Sequence, residues 1–237
     1  MTRALVLADD ATGALECGSL LAGMGVEVRV SLGGEAPVGE AVVVNTDTRH
    51  VAAEEAARVV REWVSKYAGA AIYKKTDSLL RGNIGAELRA AGVRHYLPAY
   101  PALGRTVKEG VLSVDGVPVH LSAAGRDPRC AVKSSRVADV LGGAEIAVLD
   151  AETTAENEAW VERIAREQER MPPLAGPAGL VQVWARELGL ERRAAVGWPE
   201  MGKAVVVCGS HHPVSREQAR RAVGRVVVLA TPEERCE

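Results

Sequence analysis

Ala4-Leu5-Val6-Leu7-Ala8 is a short unbroken apolar run, followed by the polar turn Asp9-Asp10-Ala11-Thr12-Gly13 and a helical pattern from Ala14 to Met24. A run of that length and type reads as a buried strand. Gly25 closes the helix as a glycine just past a helix end does, and Val26 to Leu32 reads as a second strand. The opening is therefore a βαβ unit, whose right-handed crossover sets the two strands parallel.

The alternation continues outward from there. Strands are predicted at 41–45, 70–73, 94–97 and 146–149, and helices at 52–67, 83–91, 155–170 and 178–188. Pro172-Pro173 stops the helix before it. Between residues 110 and 121 the rhythm breaks: Asp115-Gly116 separates two β-rich runs, a strong hairpin signal. This predicts a hairpin laid across a sheet edge or over the site, with an irregular polar segment at 122–135. The expected fold is a three-layer α/β architecture, with a mostly parallel sheet, an inserted β-hairpin and the beginning of a second α/β domain. The expected boundaries are a domain at 1–190, a linker at 191–203 and a new βαβ unit at 204–237 (strand 204–208, helix 215–223, strand 225–229). One βαβ unit cannot bury both faces of its strands.

Composition narrows the functional classes. The 237 residues are 47% hydrophobic and 25% charged, as in an ordinary globular protein, and the net charge is −2. No basic excess points to nucleic acid. No apolar run approaches the roughly 18 residues of a membrane span, and the N-terminus carries no signal-peptide core, so a cytoplasmic protein is expected. Cys17, Cys130, Cys208 and Cys236 form no CxxC pair and read as free, mostly structural thiols. With no Phe, the core is built from Val, Leu, Ile and Ala, which suits a parallel sheet under Ala-rich helices.

In open parallel sheets, ligands bind outside the carboxyl ends of the strands. The loops at those ends are polar almost without exception: Asp9, Asp10, Thr12 and Gly13; Asp47 and Arg49; Lys74, Lys75, Asp77, Ser78, Arg81 and Gly82; Arg105; and Gly209, Ser210, His211 and His212. One Asp suffices to cap a helix. Two adjacent carboxylates repel, so Asp9-Asp10 needs a cation or a substrate proton to offset it. The pair does not make the Asp-x-Asp-x-Thr of aspartyl phosphatases, because position 11 is Ala. Lys74, Lys75 and Arg81 place three cations around Asp77 at a strand end, an arrangement suited to an anion. Lys offers a point charge and Arg a planar fork that fits a carboxylate or a phosphate. Asp77, among those cations, is expected to have a depressed pKa.

Gly197 to Lys203 has the GxxxxGK spacing of a phosphate loop, but Ala204 cannot ligate Mg²⁺ and the segment precedes a strand instead of following one. Gly209-Ser210-His211-His212 opens a helix after a strand, where free N–H groups face a ligand. Cys208, His211 and His212 lack the spacing of a closed zinc site, so no metal site is expected.

Ala8-Asp9-Asp10-Ala11-Thr12-Gly13-Ala14, Asn45-Thr46-Asp47-Thr48-Arg49, Tyr73 to Asn83, Pro98 to Pro101 with Gly104-Arg105-Thr106, Val114 to Val119, and Gly209-Ser210 with His212-Pro213-Val214 resemble, in order, the four-carbon acid sugar kinase family. The resemblance implies ATP-dependent phosphorylation of a hydroxyl on a threonate, erythronate or oxo-tetronate, with Mg²⁺. It also implies an N-terminal domain that binds the acid and a C-terminal domain that binds the nucleotide. On that resemblance Arg81, with Lys74 or Lys75, is expected to hold the substrate carboxylate, and Asp9 or Asp10 its hydroxyls. Asp10 and Asp77 become catalytic candidates, Asp10 as the proton acceptor with Asp9 helping to hold substrate or Mg²⁺, and Asp77 as the orienter of its neighbouring cations. Gly209, Ser210 and His212 become nucleotide contacts. Most of the family's nucleotide domain, including a later Gly-rich segment, lies beyond this sequence. The alternatives are a separate nucleotide-binding polypeptide, a fragment of a longer product, and a non-catalytic sugar-acid-binding or regulatory module. A homo-oligomer stays open.

Overall fold

The computed structural model describes residues 2–34, 36–143, 145–191 and 213–222. The chain divides into two compact units, Met1–Val196 and Gly197–Glu237. In the second unit the described element is a helix at Pro213–Arg221. The strands expected at 204–208 and 225–229, and Gly209, Ser210 and His212, lie outside the described residues.

The first unit alternates strands and helices from its start: β1 (Ala4–Ala8), α1 (Ala11–Gly23), β2 (Val28–Ser31), β3 (Ala41–Asn45), α2 (Ala53–Lys66), β4 (Ala71–Lys75), α3 (Ile84–Ala90) and β5 (His95–Tyr96). After β6 (Arg105–Lys108), β7 (Val111–Val114) and β8 (Val117–Pro118) come α4 (Val137–Leu141), β9 (Ala147–Val148), α5 (Thr154–Glu167), β10 (Leu174–Gly176) and α6 (Val181–Glu187). The helix of the second unit is α7.

Seven strands form one parallel sheet in the order β2-β3-β1-β4-β10-β5-β9. The α/β class read from the apolar runs is what the chain adopts. Along β1 the side chains alternate between two cores. Ala4, Val6 and Ala8 pack with Ala14, Cys17 and Leu21 of α1, Val161 of α5 and Trp184 of α6. Leu5 and Leu7 pack with Val60 of α2, Leu88 of α3 and Leu141 of α4. The result is three layers, with α1, α5 and α6 on one face and α2, α3 and α4 on the other.

Three elements differ from the reading of the sequence. The hairpin is a three-stranded antiparallel meander, β6-β7-β8, that begins at Arg105. Its second turn is the expected Asp115-Gly116, with φ of 49° and 80°, joining Val114 to its partner Val117 as a two-residue turn with positive φ at both centres does. The first turn, Glu109-Gly110, links Lys108 to Val111 in the same way. β10 had no reading as a strand at all, yet it sits inside the sheet between β4 and β5. α4 is the third addition. Among the described residues, no helix is long and apolar enough to cross a membrane.

Candidate functional site

β1, β3 and β4 end side by side, and the chain leaves β1 for one half of the sheet and returns through β4 on the other. That is the reversal point where open α/β sheets hold ligands. The loops after these three strands bring together Asp9, Asp10, Arg49, Lys75, Asp77 and Arg81.

Asp10 is the N-cap of α1, and its Oδ1 accepts the N–H of Gly13 at 3.0 Å. The repulsion expected between Asp9 and Asp10 is offset by Arg49. Its Nε and Nη2 donate to the two oxygens of Asp9 at 2.7 and 3.0 Å, and its Nη1 donates to Asp10 Oδ2 at 2.8 Å. Arg49 Nη2 also stands 3.6 Å from Asp77 Oδ1. The loop that carries Arg49 is fixed to β1, since the N–H groups of Thr48 and Arg49 both donate to the Asp9 carbonyl.

Lys74 and Lys75 are adjacent on β4 and so point to opposite faces. Lys75 faces α1, with Nζ 3.4 Å from Asp10 Oδ1. Gly13 makes room for it: a Cβ there would stand 2.1 Å from Nζ. Lys74 faces α3 and is 0% exposed, with Nζ 2.9 Å from Glu87 Oε2. Glu87 also accepts the Thr48 hydroxyl. Of the two lysines expected at the substrate carboxylate, Lys74 is thus spoken for beneath the sheet, and Lys75 is the one in the cluster.

Asp77 is held by Arg81, whose Nε and Nη2 each donate to it at 2.9 Å, and by the N–H groups of Leu79 and Arg81 at 3.2 Å. Arg81 Nη1 turns to Asp127 Oδ2 at 3.1 Å. Asp127 in turn accepts the N–H groups of Arg129 and Cys130, and Cys130 Sγ accepts the N–H of Gly82 at 3.1 Å. Gly82 lies against the cluster, where a Cβ would come 3.0 Å from Asp9 Oδ2. Ser78 Oγ accepts from Arg105 Nη1 at 2.6 Å, tying the start of the meander to this loop. Asp47 and Thr12 sit at the exposed rim, Asp47 with φ 52°.

Burial acts to raise the pKa of Asp77, but the hydrogen bonds and charge of Arg81, aided by Arg49, outweigh it and hold the carboxyl below its ordinary 3.8. The expected direction is present, with Arg81 and Arg49 as its source. Asp10 behaves alike: burial opposes, and Lys75, Arg49 and the Gly13 N–H prevail, so it too is lowered. The N–H groups of Arg129 and Cys130 are the main reason that Asp127 falls to about 2. Of the three carboxylates at the ends of β1 and β4, Asp10 is nonetheless the one that solvent reaches, its side chain 26% exposed against 3% for Asp9 and 8% for Asp77.

Sequence reasoning missed Asp127 and Glu87. Asp127 lies in the irregular segment, where no spacing marks it. Glu87 sits one helical turn beyond Asn83, and its only signal was a carboxylate on the buried face of α3.

The family model for a sugar-binding N-terminal domain matches residues 4–144. With that match and the site it covers, the chain belongs to the four-carbon acid sugar kinase family. The D-threonate kinase of Bordetella bronchiseptica is 32% identical over 90% of this chain and 60% of its own length. The D-threonate kinase of Salmonella typhimurium is 30% identical over 94% of this chain and 61% of its own. The chain therefore spans about three fifths of the length of these curated relatives. A solved domain of unknown function from B. bronchiseptica, a domain-swapped dimer with bound citrate, superposes with a TM-score of 0.72 at 30% identity, covering 78% of this chain and 57% of that one.

Proposed function

We propose that this chain binds a four-carbon sugar acid of the threonate, erythronate or oxo-tetronate type and presents one hydroxyl for phosphorylation by ATP, with the nucleotide held by a domain largely outside this sequence. The observation that carries the reading is the cluster at the ends of β1, β3 and β4, in which three carboxylates are locked by Arg49, Arg81 and Lys75 while Asp10 alone is substantially open to solvent. The names of the relatives and the family support the substrate class.

Asp10 takes the proton of the acceptor hydroxyl. Its lowered pKa keeps it ionised at neutral pH. A weak base serves here, since phosphoryl transfer relies on positioning and charge neutralisation more than on proton abstraction. Asp9 and Arg49 hold Asp10 in place, Asp77 orients Arg81, and Thr12, Gly13, Asp47, Ser78 and Gly82 shape the rim. Among the described residues, the oxygens of Asp9 and Asp10 accept from Arg49, Lys75 and the Gly13 N–H, and the solvent-reached Asp10 keeps lone-pair capacity for the acceptor hydroxyl. No cluster of three metal-ligating side chains occurs among them. Gly209, Ser210 and His212 stay candidates for the nucleotide. The cytoplasm is the compartment proposed, and the swapped dimer of the solved relative favours a homo-oligomer.

The test uses D-threonate and the Asp10→Asn variant. The wild-type chain should bind the acid by calorimetry. With a complementing nucleotide domain, Asp10→Asn should keep affinity within a few-fold and lose about 10²–10⁴-fold in turnover. Normal turnover in Asp10→Asn beside a dead Asp77→Asn would reverse the two roles. Binding without any phosphorylated product, even with ATP and Mg²⁺, would leave the non-catalytic module.

A further inference from the structure

Three guanidinium groups stand at these loops, and two of them already grip a carboxylate along the Nε–Nη2 edge. Arg49 uses its Nε–Nη2 edge on Asp9 and its Nη1 on Asp10. Arg81 uses the same edge on Asp77 and its Nη1 on Asp127. In both, the Nε–Nη2 edge is already taken by a carboxylate. Arg105 is built differently. Its Nη1 donates to Ser78 Oγ, but its Nε is buried with no acceptor, and its Nη2 makes no hydrogen bond or ion pair with the described residues. The Nε–Nη2 edge, which grips a carboxylate in both neighbours, is vacant.

A buried, charged N–H without an acceptor is costly, and such groups are rare unless something supplies the acceptor. The edge offers two parallel donors, the geometry that a carboxylate takes in two hydrogen bonds. Its position is fixed from both sides. Ser78 follows Asp77 in the cluster, and the Arg105 backbone pairs with that of Tyr100, whose hydroxyl reaches Glu16 of α1.

We propose that Arg105, steadied by Ser78, receives the substrate's carboxylate and is the residue that selects acids over neutral polyols. This rests on the sugar-acid reading above and moves the carboxylate anchor from Arg81 to Arg105. Arg81 becomes a positioning residue that holds Asp77 and the 127–130 loop.

Calorimetry on the full chain tests this with three probes: D-threonate, its neutral amide and inorganic phosphate. Arg105→Gln should weaken D-threonate binding by about tenfold or more while leaving the amide within about twofold. Arg105→Lys, which keeps the charge and loses the two-donor edge, should fall between. Unchanged D-threonate affinity in Arg105→Gln overturns the proposal. So does an equal loss for acid and amide with a lowered urea midpoint, which marks a structural residue. Loss of phosphate binding with D-threonate binding intact also overturns it and assigns the edge to a phosphate. A wild-type chain that binds no sugar acid removes the underlying reading along with it, whereas failure confined to the variant removes the assignment of Arg105 alone.

Discussion

Arg49 lays the Nε–Nη2 edge of its guanidinium along the Asp9 carboxylate, at 2.7 and 3.0 Å, while its own backbone N–H donates to the Asp9 carbonyl at 3.3 Å. The two residues are latched through side chain and main chain, and both side chains are nearly buried. Removing one partner of a buried pair leaves an uncompensated charge, whereas removing both need not. Arg49→Met should destabilise the protein by about 3–5 kcal/mol in urea unfolding. Arg49→Met combined with Asp9→Asn should recover most of that loss. If the double variant loses the sum of the Arg49→Met and Asp9→Asn losses within about 0.5 kcal/mol, the pair is not coupled.

Lys74 and Lys75 should separate cleanly. Lys74→Met strands Glu87 in the core and is expected to cost about 3–5 kcal/mol, with sugar-acid affinity of the folded protein unchanged. Lys75→Met should weaken the ligand instead, because it takes a cation from Asp10. Urea unfolding and calorimetry on both variants decide. A Lys74 variant of normal stability that no longer binds the acid would return that lysine to the substrate.

Acid should unfold the protein through Asp77. A carboxyl whose folded pKa lies below its unfolded value stabilises the fold above that value and loses the contribution as pH falls through the folded one. For Asp77 the loss therefore begins near the ordinary 3.8 and continues below it, as its pairs with Arg81 and Arg49 are neutralised. Asp127, at about 2, acts in the same direction at lower pH. Urea midpoints measured from pH 7 to pH 3 should fall in the most acid range, and Asp77→Asn should start lower and fall less. Parallel acid limbs in wild type and Asp77→Asn would place the effect elsewhere.

The sheet and the cluster were legible for a simple reason: unbroken apolar runs mark buried parallel strands, and the residues after them mark the ligand side. Asp9, Asp10, Arg49, Asp77 and Arg81 were all found that way. What escaped was decided by tertiary neighbours. Leu174-Ala175-Gly176 is too short and too small in its side chains to declare a strand, and it pairs only because β4 and β5 leave a gap of one strand between them. Lys74 and Lys75 could be assigned to opposite faces from their spacing, but not to a particular face before α1 and α3 were placed. Asp127 is found through Arg81, not through its own segment. Arg105 was read as one more cation at a strand end. Its vacant edge became visible only once the corresponding edges of Arg49 and Arg81 were seen to be taken.

The place of β10 bears on how this chain comes to be folded at all. β4 and β5 are made early, yet the strand that joins them is among the last parts of the first unit to leave the ribosome. Until residues 174–176 arrive, β4 presents an open edge of unpaired N–H and C=O groups, and β5 lacks its hydrogen-bonded link to β4. Such non-local pairings form late, and open edges invite pairing with other chains. The matched stretch, residues 4–144, ends before β9, α5 and β10, so it contains the catalytic-looking loops without the strand that closes the sheet beneath them. A chain cut at that boundary loses the strand that joins β4 to β5.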